Sequence, residues 1–174
     1  VIRAAHGLIL PGVGAWDPAI SFLRKNGLDG EIVQYVKTGR PFLGICLGAQ
    51  LLHGMSEEGK LAGLSLIPGK VVLFRLKSKE LKVPHMGWNQ LKITSPSPIF
   101  KGLATDSYAY FVHSYYFEPQ DQAVISSTTE YEIHFASSVW KENIFGVQFH
   151  PEKSGAVGKV ILQNFCDLAK AGIA

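Results

Sequence analysis

The sequence predicts an α/β fold, in which a mostly parallel sheet is flanked by helices and extended by further strands. Residues 7–54 alternate between short apolar runs, typical of buried strands, and segments with helical start and stop signals. Residues 70–149 hold more strand-like runs separated by polar turns, and one amphipathic helical pattern follows them. Strands that alternate with helices favour parallel pairing, because each helix carries the chain back across the sheet.

The first half of the chain supplies the strand–helix alternation. A strand over residues 7–10 ends at the turn residues Pro11 and Gly12. A helix follows, with Asp17 as its predicted N-cap and Pro18 at its first position. The pattern then predicts a helix over 30–37, a buried strand over 42–45 and a helix over about 48–54.

The second half is predicted to be rich in strands. Its strand-like runs cover residues 70–76, 89–93, 109–117, 123–127, 135–140 and 144–149. The last element is a helix over about 156–171, whose apolar residues recur at helical spacing. Cys166 lies one position off that apolar stripe. We expect it to be a structural thiol, because free cysteine packs like a small hydrophobe.

Length and composition predict that residues 1–174 form a single domain. The chain is 47% apolar and 18% charged, so it can fill a core. Its net charge is +3, and its densest basic cluster lacks interleaved aromatic residues. That cluster consists of Arg75, Lys77, Lys79 and Lys82. We therefore expect a solvated surface there and no nucleic-acid partner.

The cysteine and hydropathy patterns bound the location of the protein. Cys46 and Cys166 are far apart and form no paired framework, which favours a reducing cytoplasm over secretion. No apolar run approaches membrane-spanning length and no signal-peptide pattern opens the chain, so we expect no membrane partner. The histidines and cysteines lack metal-ligand spacing, and we expect no metal site.

The sharpest local signal is the segment Gly44-Ile45-Cys46-Leu47-Gly48, between an apolar strand and a helix. It has the form of a nucleophile elbow with cysteine in the usual serine position. The tight turn lifts the thiol off the strand end, and the flanking glycines avoid clashes. The N-terminus of the following helix points at the thiol, and we expect it to favour the thiolate. The turn also directs the Leu47 backbone N–H towards a developing oxyanion. Taken alone, the motif fits a buried core cysteine equally well.

A thiol nucleophile needs a base, and the base needs a group that orients it. His150 follows the apolar run 144–149, and Glu152 is two residues further on. In an extended segment, residues two apart project to the same side, so the imidazole and the carboxylate would meet. The order nucleophile, His, acid argues against an ordinary α/β-hydrolase. The alternative is a surface turn with a solvated carboxylate.

The turn at residues 11–14 (PGVG) follows the first strand. A turn this rich in glycine presents bare backbone N–H groups, and Gly12 or Val13 is the expected second oxyanion donor. The alternative is an ordinary strand-to-helix turn.

Together these motifs resemble the class I glutamine amidotransferases. Residues 44–50 (GICLGAQ) are similar to that family's nucleophile motif, and residues 146–152 (GVQFHPE) to its His–Glu motif. Three further segments resemble one branch, the glutaminase subunits of imidazole glycerol phosphate synthases: 10–16 (LPGVGAW), 84–89 (PHMGWN) and 110–115 (YFVHSY). The resemblance implies a three-layer fold with a mostly parallel sheet, flanking helices and additional antiparallel strands.

The resemblance also implies roles for individual residues. Cys46 would attack the side-chain amide of glutamine, His150 would carry the protons, and Glu152 would orient His150. The backbones of Val13 and Leu47 would stabilise the oxyanion. The positions that match glutamine-holding residues are Gly12, Gly14, Gln50, Glu58, Ser114 and Tyr115.

Further implications concern the product and the partner. Ammonia would pass to a cyclase subunit with a (β/α)8 barrel, which makes imidazole glycerol phosphate in histidine biosynthesis. The positions that match the partner interface are Met86, Trp88, Asn89 and Lys153. No cofactor is implied.

The sequence departs from the family at its beginning. The family has a strand–helix unit of roughly 30 residues before the segment that opens here, so we expect the chain to be N-terminally truncated. Trp16 stands where phenylalanine is more usual. Three alternatives stay open: the glutaminase of another amidotransferase, a truncated non-catalytic regulatory or binding relative, and a thiol peptidase. Residues 84–89 weigh against the first, and the complete Cys–His–Glu set weighs against the second.

Overall fold

A computed structural model describes residues 2–172 of the chain. Its helices are α1 (Trp16–Lys25), α2 (Leu28–Val36), α3 (Leu47–Gln50) and α4 (Gly155–Ala171). Its strands are β1 (Leu8–Gly12), β2 (Phe42–Cys46), β3 (Met55–Ser56), β4 (Gly69–Leu73), β5 (His85–Gln90), β6 (Lys92–Ile93), β7 (Tyr108–His113), β8 (Tyr115–Pro119), β9 (Ile125–Tyr131), β10 (Ile133–Lys141) and β11 (Ile144–Val147). Short 3-10 helices cover Ile2–Ala4, Pro98–Phe100, Gln122–Val124 and Pro151–Lys153. None of the helices in this part of the chain has the length and apolar character needed to cross a membrane.

Nine of the described strands form one sheet in the order β1-β2-β11-β10-β8-β4-β3, with β9 joined to β10 and β6 joined to β9. Pairing is parallel across β1, β2 and β11, and again between β3 and β4. The remaining pairs are antiparallel. The predicted α/β class with flanking helices and additional antiparallel strands is confirmed. The sheet is mixed and not mostly parallel as predicted, because five of the eight pairs among its described strands are antiparallel. Cys46 lies at the end of β2, the middle strand of the parallel group β1, β2 and β11.

Side chains of β2 divide the core between the two faces of the sheet. Phe42 packs with residues of α1 and α2, whereas Leu43 and Ile45 pack with residues of α4. Successive residues of a strand point to opposite faces, so the two apolar clusters lie on opposite sides of the sheet. All five residues of β2 are buried. Helices thus cover both faces of the strand that ends at Cys46.

Strands β5 and β7 pair antiparallel and form a separate two-stranded sheet. Its inward face is buried at His85, Phe111 and His113, while Met86 and Trp88 on the other face are exposed. This alternation matches a sheet that packs on the core with one side only.

The prediction that Asp17 caps α1 was wrong. The helix begins at Trp16, and Ala15 occupies the N-cap position. The Asp17 carboxylate instead accepts hydrogen bonds from the backbone N–H groups of Lys60 and Leu61. A local capping rule assigned this residue, but a contact between distant segments determines its role.

The run predicted as one strand over residues 109–117 is two strands. The chain breaks at Ser114, so β7 pairs with β5 and β8 pairs with β4 and β10. Both pieces are apolar and rich in aromatic residues, and the pattern alone gave no sign of the break. The segment 89–93 is likewise divided, because β5 ends at Gln90 and β6 begins at Lys92.

The prediction that Cys166 is a buried structural thiol was also wrong, because this side chain is exposed on α4. The stripe of α4 that enters the core contains Ile161 and Phe165, and Cys166 follows one position later on the solvent side. Its position off the apolar stripe was the more informative signal.

Candidate active site

A cavity of about 320 Å³ lies where β1 and β2 end, opposite the turn between β7 and β8. Its lining brings together most of the residues predicted to act on glutamine: Val13, Gly14, Cys46, Leu47, Gln50, Glu58, Ser114, Tyr115 and His150. Pro84, Val112 and His113 complete it. Gly12 and Glu152 do not line this cavity. Gly12 pairs with Cys46 in the sheet, and its Cα hydrogen faces Leu47 and Gly48, which leave little room for a side chain.

A larger cleft of about 700 Å³ lies beside β4, β8 and β10. Lys70, Glu118 and His134 contribute polar groups to it, but its lining contains no cysteine. Size alone would favour this cleft as a binding site. Chemistry favours the smaller cavity, because a nucleophile, a possible base and a carboxylate converge there.

The main chain at Cys46 has the strained geometry of a nucleophile elbow. Its φ of 52° and ψ of −112° put a residue with a side chain in a region that favours glycine. The flanking glycines are required by close approach of the backbone. A Cβ at Gly48 would overlap the carbonyl oxygen of Leu10, and a Cβ at Gly44 would lie 2.6 Å from the carbonyl oxygen of Gly48. The predicted sequence of strand, turn and helix around Cys46 is present.

Burial dominates the electrostatics of the Cys46 thiol. Loss of solvent raises its pKa to about 11, and the nearby charge of Glu152 acts in the same direction. The Leu47 backbone N–H, the Gln148 side chain and the charge of Lys153 oppose this increase. Burial therefore favours the protonated thiol in the unliganded site, and the prediction that the helix N-terminus favours the thiolate was wrong, because desolvation outweighs it. A nearby base is needed to accept the thiol proton.

His150 is held in a defined orientation. Its Nδ1 lies 2.7 Å from Oε1 of Glu152. Its backbone N–H donates to the carbonyl of Tyr110, and its own carbonyl accepts from the Ser154 hydroxyl at 2.7 Å. The Nε2 atom is buried without a hydrogen-bond partner among the described residues. That nitrogen is available to a group in the cavity.

The contact between His150 and Glu152 was predicted for the wrong reason. The prediction assumed an extended segment, but β11 ends at Val147 and Pro151–Lys153 forms a 3-10 helix. The turn brings the carboxylate back onto the imidazole. Proline at the first position of this helix supports the turn, because its fixed φ suits helical geometry.

Gln148 was missed as a site residue by the sequence reasoning. Its side-chain N–H lies 3.7 Å from Sγ of Cys46, and its Oε1 accepts from Gln50 at 3.1 Å. Gln50 also donates to the carbonyl of Tyr115 at 3.0 Å. The available signal in the sequence was an amide side chain within the apolar run 144–149, two residues before His150. The structure buries this amide completely. These bonds link the nucleophile to two residues of the cavity wall.

On the opposite wall, the Glu58 carboxylate accepts a hydrogen bond from the backbone N–H of Trp16 at 3.0 Å. Desolvation raises the pKa of this carboxyl, while the Trp16 N–H opposes the increase. Gly14 has a φ of 101°, which favours glycine there, and the neighbouring Val13 side chain is exposed. The described residues offer no group of three or more His, Cys, Asp or Glu that could hold a metal ion.

Of the predicted interface residues, Met86, Trp88 and Lys153 lie on one surface beside the cavity. The ring of Tyr110 connects Trp88 with Lys153, with its centroid 6.1 Å from the Trp88 ring and 6.0 Å from Nζ of Lys153. Met86 is two residues before Trp88 on β5 and pairs with Val112, which lines the cavity. Asn89 does not join this surface. Its side-chain amide donates to the Glu130 carbonyl at 2.9 Å and lies 3.2 Å from Nε2 of His85.

A comparison with protein families decides between the functions that the geometry allows. The model of the family described as glutamine amidotransferase class-I matches residues 4–168. The chain belongs to this family.

Two curated relatives of this amidotransferase chain carry the same description. The imidazole glycerol phosphate synthase subunit HisH of Syntrophotalea carbinolica is 50% identical over 173 residues, which cover 97% of the chain and 84% of the relative. The subunit HisH of Moorella thermoacetica is 49% identical over 170 residues, covering 97% and 80%. These matches confirm the predicted resemblance to subunits of imidazole glycerol phosphate synthase.

Solved structures include chains of similar fold. One, described as a glutamine amidotransferase, superposes with a TM-score of 0.70 at 18% identity, covering 95% of this chain and 79% of that one. The structure of PurLQS from Thermotoga maritima also gives 0.70 at 18% identity, covering 93% and 79%. At these identities the likeness supports the class I fold alone.

Proposed function

We propose that the chain hydrolyses glutamine to glutamate and ammonia and supplies the ammonia to a cyclase subunit that makes imidazole glycerol phosphate in histidine biosynthesis. One observation carries the chemical part. Cys46 and His150 line the same cavity, the Nε2 of His150 has no hydrogen-bond partner among the described residues, and Glu152 holds the opposite ring nitrogen. Identity of about one half to HisH subunits supports the choice of ammonia acceptor.

In the proposed reaction, His150 Nε2 accepts the Cys46 thiol proton as the sulfur attacks the side-chain amide carbon of glutamine. The tetrahedral oxyanion collapses, the C–N bond breaks and His150 gives the proton to the leaving nitrogen as ammonia departs. Water then attacks the thioester, again with His150 as base, and glutamate leaves with a regenerated thiol. Glu152 stabilises the imidazolium that forms at each step.

The oxyanion is proposed to be stabilised by backbone N–H groups on two sides of Cys46. The Leu47 N–H follows the nucleophile and is already close enough to its sulfur to lower the thiol pKa. The loop after β1, with Gly12 and Val13, is the proposed second source. Glycine at position 14 supports this role, since its positive φ allows a turn that residues with side chains disfavour.

Recognition of glutamine is proposed to rest on the polar groups around the cavity. Glu58 would attract the α-ammonium group, with Gly14, Gln50, Ser114 and Tyr115 binding the remaining polar atoms. Gln148 would hold Cys46 in line, because its amide contacts both Sγ and Gln50. A cavity of about 320 Å³ suits one small molecule, whereas a thiol peptidase would need an extended groove for its peptide.

We further propose that the partner is a (β/α)8 barrel that docks on the surface formed by Met86, Trp88 and Lys153. Two large exposed apolar side chains beside a cation and a catalytic cavity fit an interaction site. The assignment of residues 1–174 to a single domain and the cytoplasmic location remain predictions from length and cysteine content.

The test is covalent labelling with a diazoketone analogue of glutamine, followed by intact mass and peptide mapping. We expect one adduct on Cys46, none in Cys46→Ala and none on the exposed Cys166. A folded chain without an adduct, alone and with the cyclase subunit, would overturn the proposed chemistry. Glutamine hydrolysis that does not increase when the cyclase and its nucleotide substrate are added would overturn the proposed acceptor.

A further inference from the structure

The loop formed by residues 57–63, here called the Glu58 loop, is fastened to the beginning of α1. The indole Nε1 of Trp16 donates to the Leu61 carbonyl at 2.7 Å. The backbone N–H of Trp16 donates to Oε2 of Glu58 at 3.0 Å. Trp16 is completely buried, and both bonds are therefore partly shielded from competing water.

Asp17 fastens the same loop through its carboxylate. Oδ1 accepts the backbone N–H groups of Lys60 at 2.9 Å and Leu61 at 3.0 Å, and Oδ2 lies 3.1 Å from the Lys60 nitrogen. Hydrogen bonds to the charged form hold the pKa of Asp17 below its usual value. The carboxylate therefore replaces solvent for two N–H groups of the Glu58 loop.

Close packing supports these hydrogen bonds. A Cβ added at Gly59 would lie 2.5 Å from the Trp16 ring and would overlap the Asp17 carboxylate. A Cβ added at Gly63 would lie 2.9 Å from the other end of the same ring. The Glu58 loop and the Trp16 side chain thus fit together over the length of the indole.

This attachment lies next to the cavity. Glu58 contributes the one carboxylate among the described residues that line it. Trp16 follows Val13 and Gly14 closely in the chain, so one short segment connects the proposed oxyanion loop with the attachment of Glu58. A carboxylate with one oxygen already fixed by a backbone N–H loses little freedom when a ligand binds.

We propose that Trp16 and Asp17 are positioning residues that hold Glu58 and thereby set the selectivity of the site for substrates with an α-amino group. The inference rests on the proposed glutaminase function and deepens it. An ordered carboxylate binds an ammonium group better than a mobile carboxylate does, because its conformational entropy is already lost when the chain folds. Phenylalanine could fill much of the space of Trp16 but has no N–H for the Leu61 carbonyl.

The test compares glutamine with the monoamide of glutaric acid, which keeps the amide and one carboxylate but lacks the α-amino group. Both are assayed as amide substrates of the chain in complex with the cyclase subunit. In Trp16→Phe we expect kcat/KM for glutamine to fall about fivefold relative to the monoamide, which is the usual effect of one neutral hydrogen bond. Asp17→Asn should change the ratio in the same direction.

Trp140→Phe is the matched control. Its indole Nε1 also donates to a backbone carbonyl, that of Glu142 at 2.8 Å, but in the turn between β10 and β11. We expect it to leave the substrate ratio unchanged. A purely structural role for Trp16 would lower the rate with both substrates equally, and that result would overturn the inference. If Trp16→Phe does not fold, Asp17→Asn decides the question by the same ratio.

Glu58→Gln separates this inference from the proposed function. It should reduce the ratio about 30-fold, since a charge-assisted contact is lost, and Trp16→Phe should add nothing in that background. An unchanged ratio in Glu58→Gln would overturn the inference while glutamine hydrolysis by the unmodified chain would still support the proposed function. Failure of the unmodified complex to hydrolyse glutamine would overturn both.

Discussion

The Nδ1 atom of His150 lies 2.7 Å from Oε1 of Glu152, and the opposite ring nitrogen of His150 has no partner among the described residues. A carboxylate oxygen accepts, so Nδ1 carries the hydrogen and Nε2 of the neutral ring is left with a free lone pair. His150 lines the same cavity as Cys46. Glu152 itself does not line the cavity, and we expect it to act on catalysis through the imidazole and through its charge, which raises the pKa of Cys46.

We predict that Glu152→Gln lowers kcat for glutamine hydrolysis about 100-fold and leaves KM nearly unchanged. The amide can still accept from Nδ1 but no longer stabilises the imidazolium, and the residue does not contact the cavity. Steady-state kinetics measure the effects on kcat and KM separately. Glu118→Gln is the control, because that carboxylate has a similar side-chain exposure, 43% against 49%, but pairs with Lys70 far from the site. Equal kinetics in both variants would show that His150 needs no orienting carboxylate.

A second prediction concerns the resting state of the nucleophile. Burial raises the pKa of Cys46 to about 11, so at pH 7 the protonated thiol should react slowly with iodoacetamide. The exposed Cys166 should be alkylated first. Between pH 7 and pH 10 the rate at Cys46 should rise about tenfold per pH unit, as the thiolate fraction does. Peptide mass spectrometry measures both sites in one sample.

Gln148→Leu provides the internal check on that mechanism. It removes an amide that contacts Sγ and lowers the thiol pKa, so alkylation of Cys46 at a given pH should slow further. Faster alkylation of Cys46 than of Cys166 at pH 7 would mean that the site holds a resting thiolate and that burial is not the dominant influence.

The catalytic candidates could be predicted from the sequence because their signals are local. Cys46 lies in the segment Gly44-Ile45-Cys46-Leu47-Gly48, directly after an apolar strand. This local pattern predicts that the thiol lies at the end of a strand, independently of contacts with distant segments. His150 and Glu152 are two residues apart, so either an extended segment or a turn keeps them close. The segment forms a turn, and the prediction was correct about the contact while wrong about the backbone.

Contacts between distant segments could not be predicted in the same way. Asp17 obeys a local capping pattern, yet its partners are the backbone N–H groups of residues 43 and 44 positions away. Gln148 meets Cys46 across 102 positions. The break at Ser114 depends on which neighbours its two flanking strands find in the fold, since both flanks have the same aromatic composition. Periodicity describes one segment at a time and carries no information about such partners.

The third prediction concerns stability at acid pH. Burial lowers the pKa of His53 and His85 from 6.5 to about 4, and of His113 to about 3. Between pH 6.5 and about 4 the unfolded chain therefore binds protons that the folded chain excludes. The stabilisation is complete above pH 6.5 and is lost as the pH falls, by up to about 1.4 kcal/mol per pH unit for each histidine. Urea unfolding at several pH values measures the slope.

His53→Phe tests the assignment of that slope to buried histidines. The ring of His53 stacks on Phe117, and its Nε2 is buried without a partner among the described residues. Phenylalanine has an apolar ring of similar shape and should keep the packing. Because it binds no proton in the unfolded chain, the unfolding free energy should depend less steeply on pH. His134→Gln, at an exposed position, is the control and should leave the slope unchanged. An equally steep slope in His53→Phe would assign the acid sensitivity to other groups.

The fourth prediction concerns docking of the cyclase. Trp88 is 57% exposed on the outer face of the β5–β7 sheet and lies beside Tyr110. We expect Trp88→Ala to weaken cyclase binding by about 2 kcal/mol, because a large aromatic side chain at an interface commonly contributes that much. Phe22→Ala is the control, since Phe22 is 61% exposed on α1 and belongs to no predicted interface. Titration calorimetry gives both dissociation constants, and equal values would remove the β5–β7 sheet from the docking surface.

The last prediction tests whether the elbow depends on its glycines. A Cβ at Gly48 would overlap the carbonyl oxygen of Leu10, which is fixed within β1 of the parallel sheet. Neither the backbone at Gly48 nor that at Leu10 can move away without breaking the pairing of β1 with β2, which supports Cys46. We therefore expect Gly48→Ala to lower the unfolding free energy by about 3 kcal/mol and to abolish labelling of Cys46. Gly30→Ala in α2 is the matched control. Apart from its chain neighbours and the backbone of its own helix, no atom lies within 4 Å of the Cβ that it adds. Alanine should stabilise the helix by about 0.5–1 kcal/mol. Native stability in Gly48→Ala would mean that β1 and the elbow relax apart easily, and the strained main chain at Cys46 would then not be imposed by its neighbours.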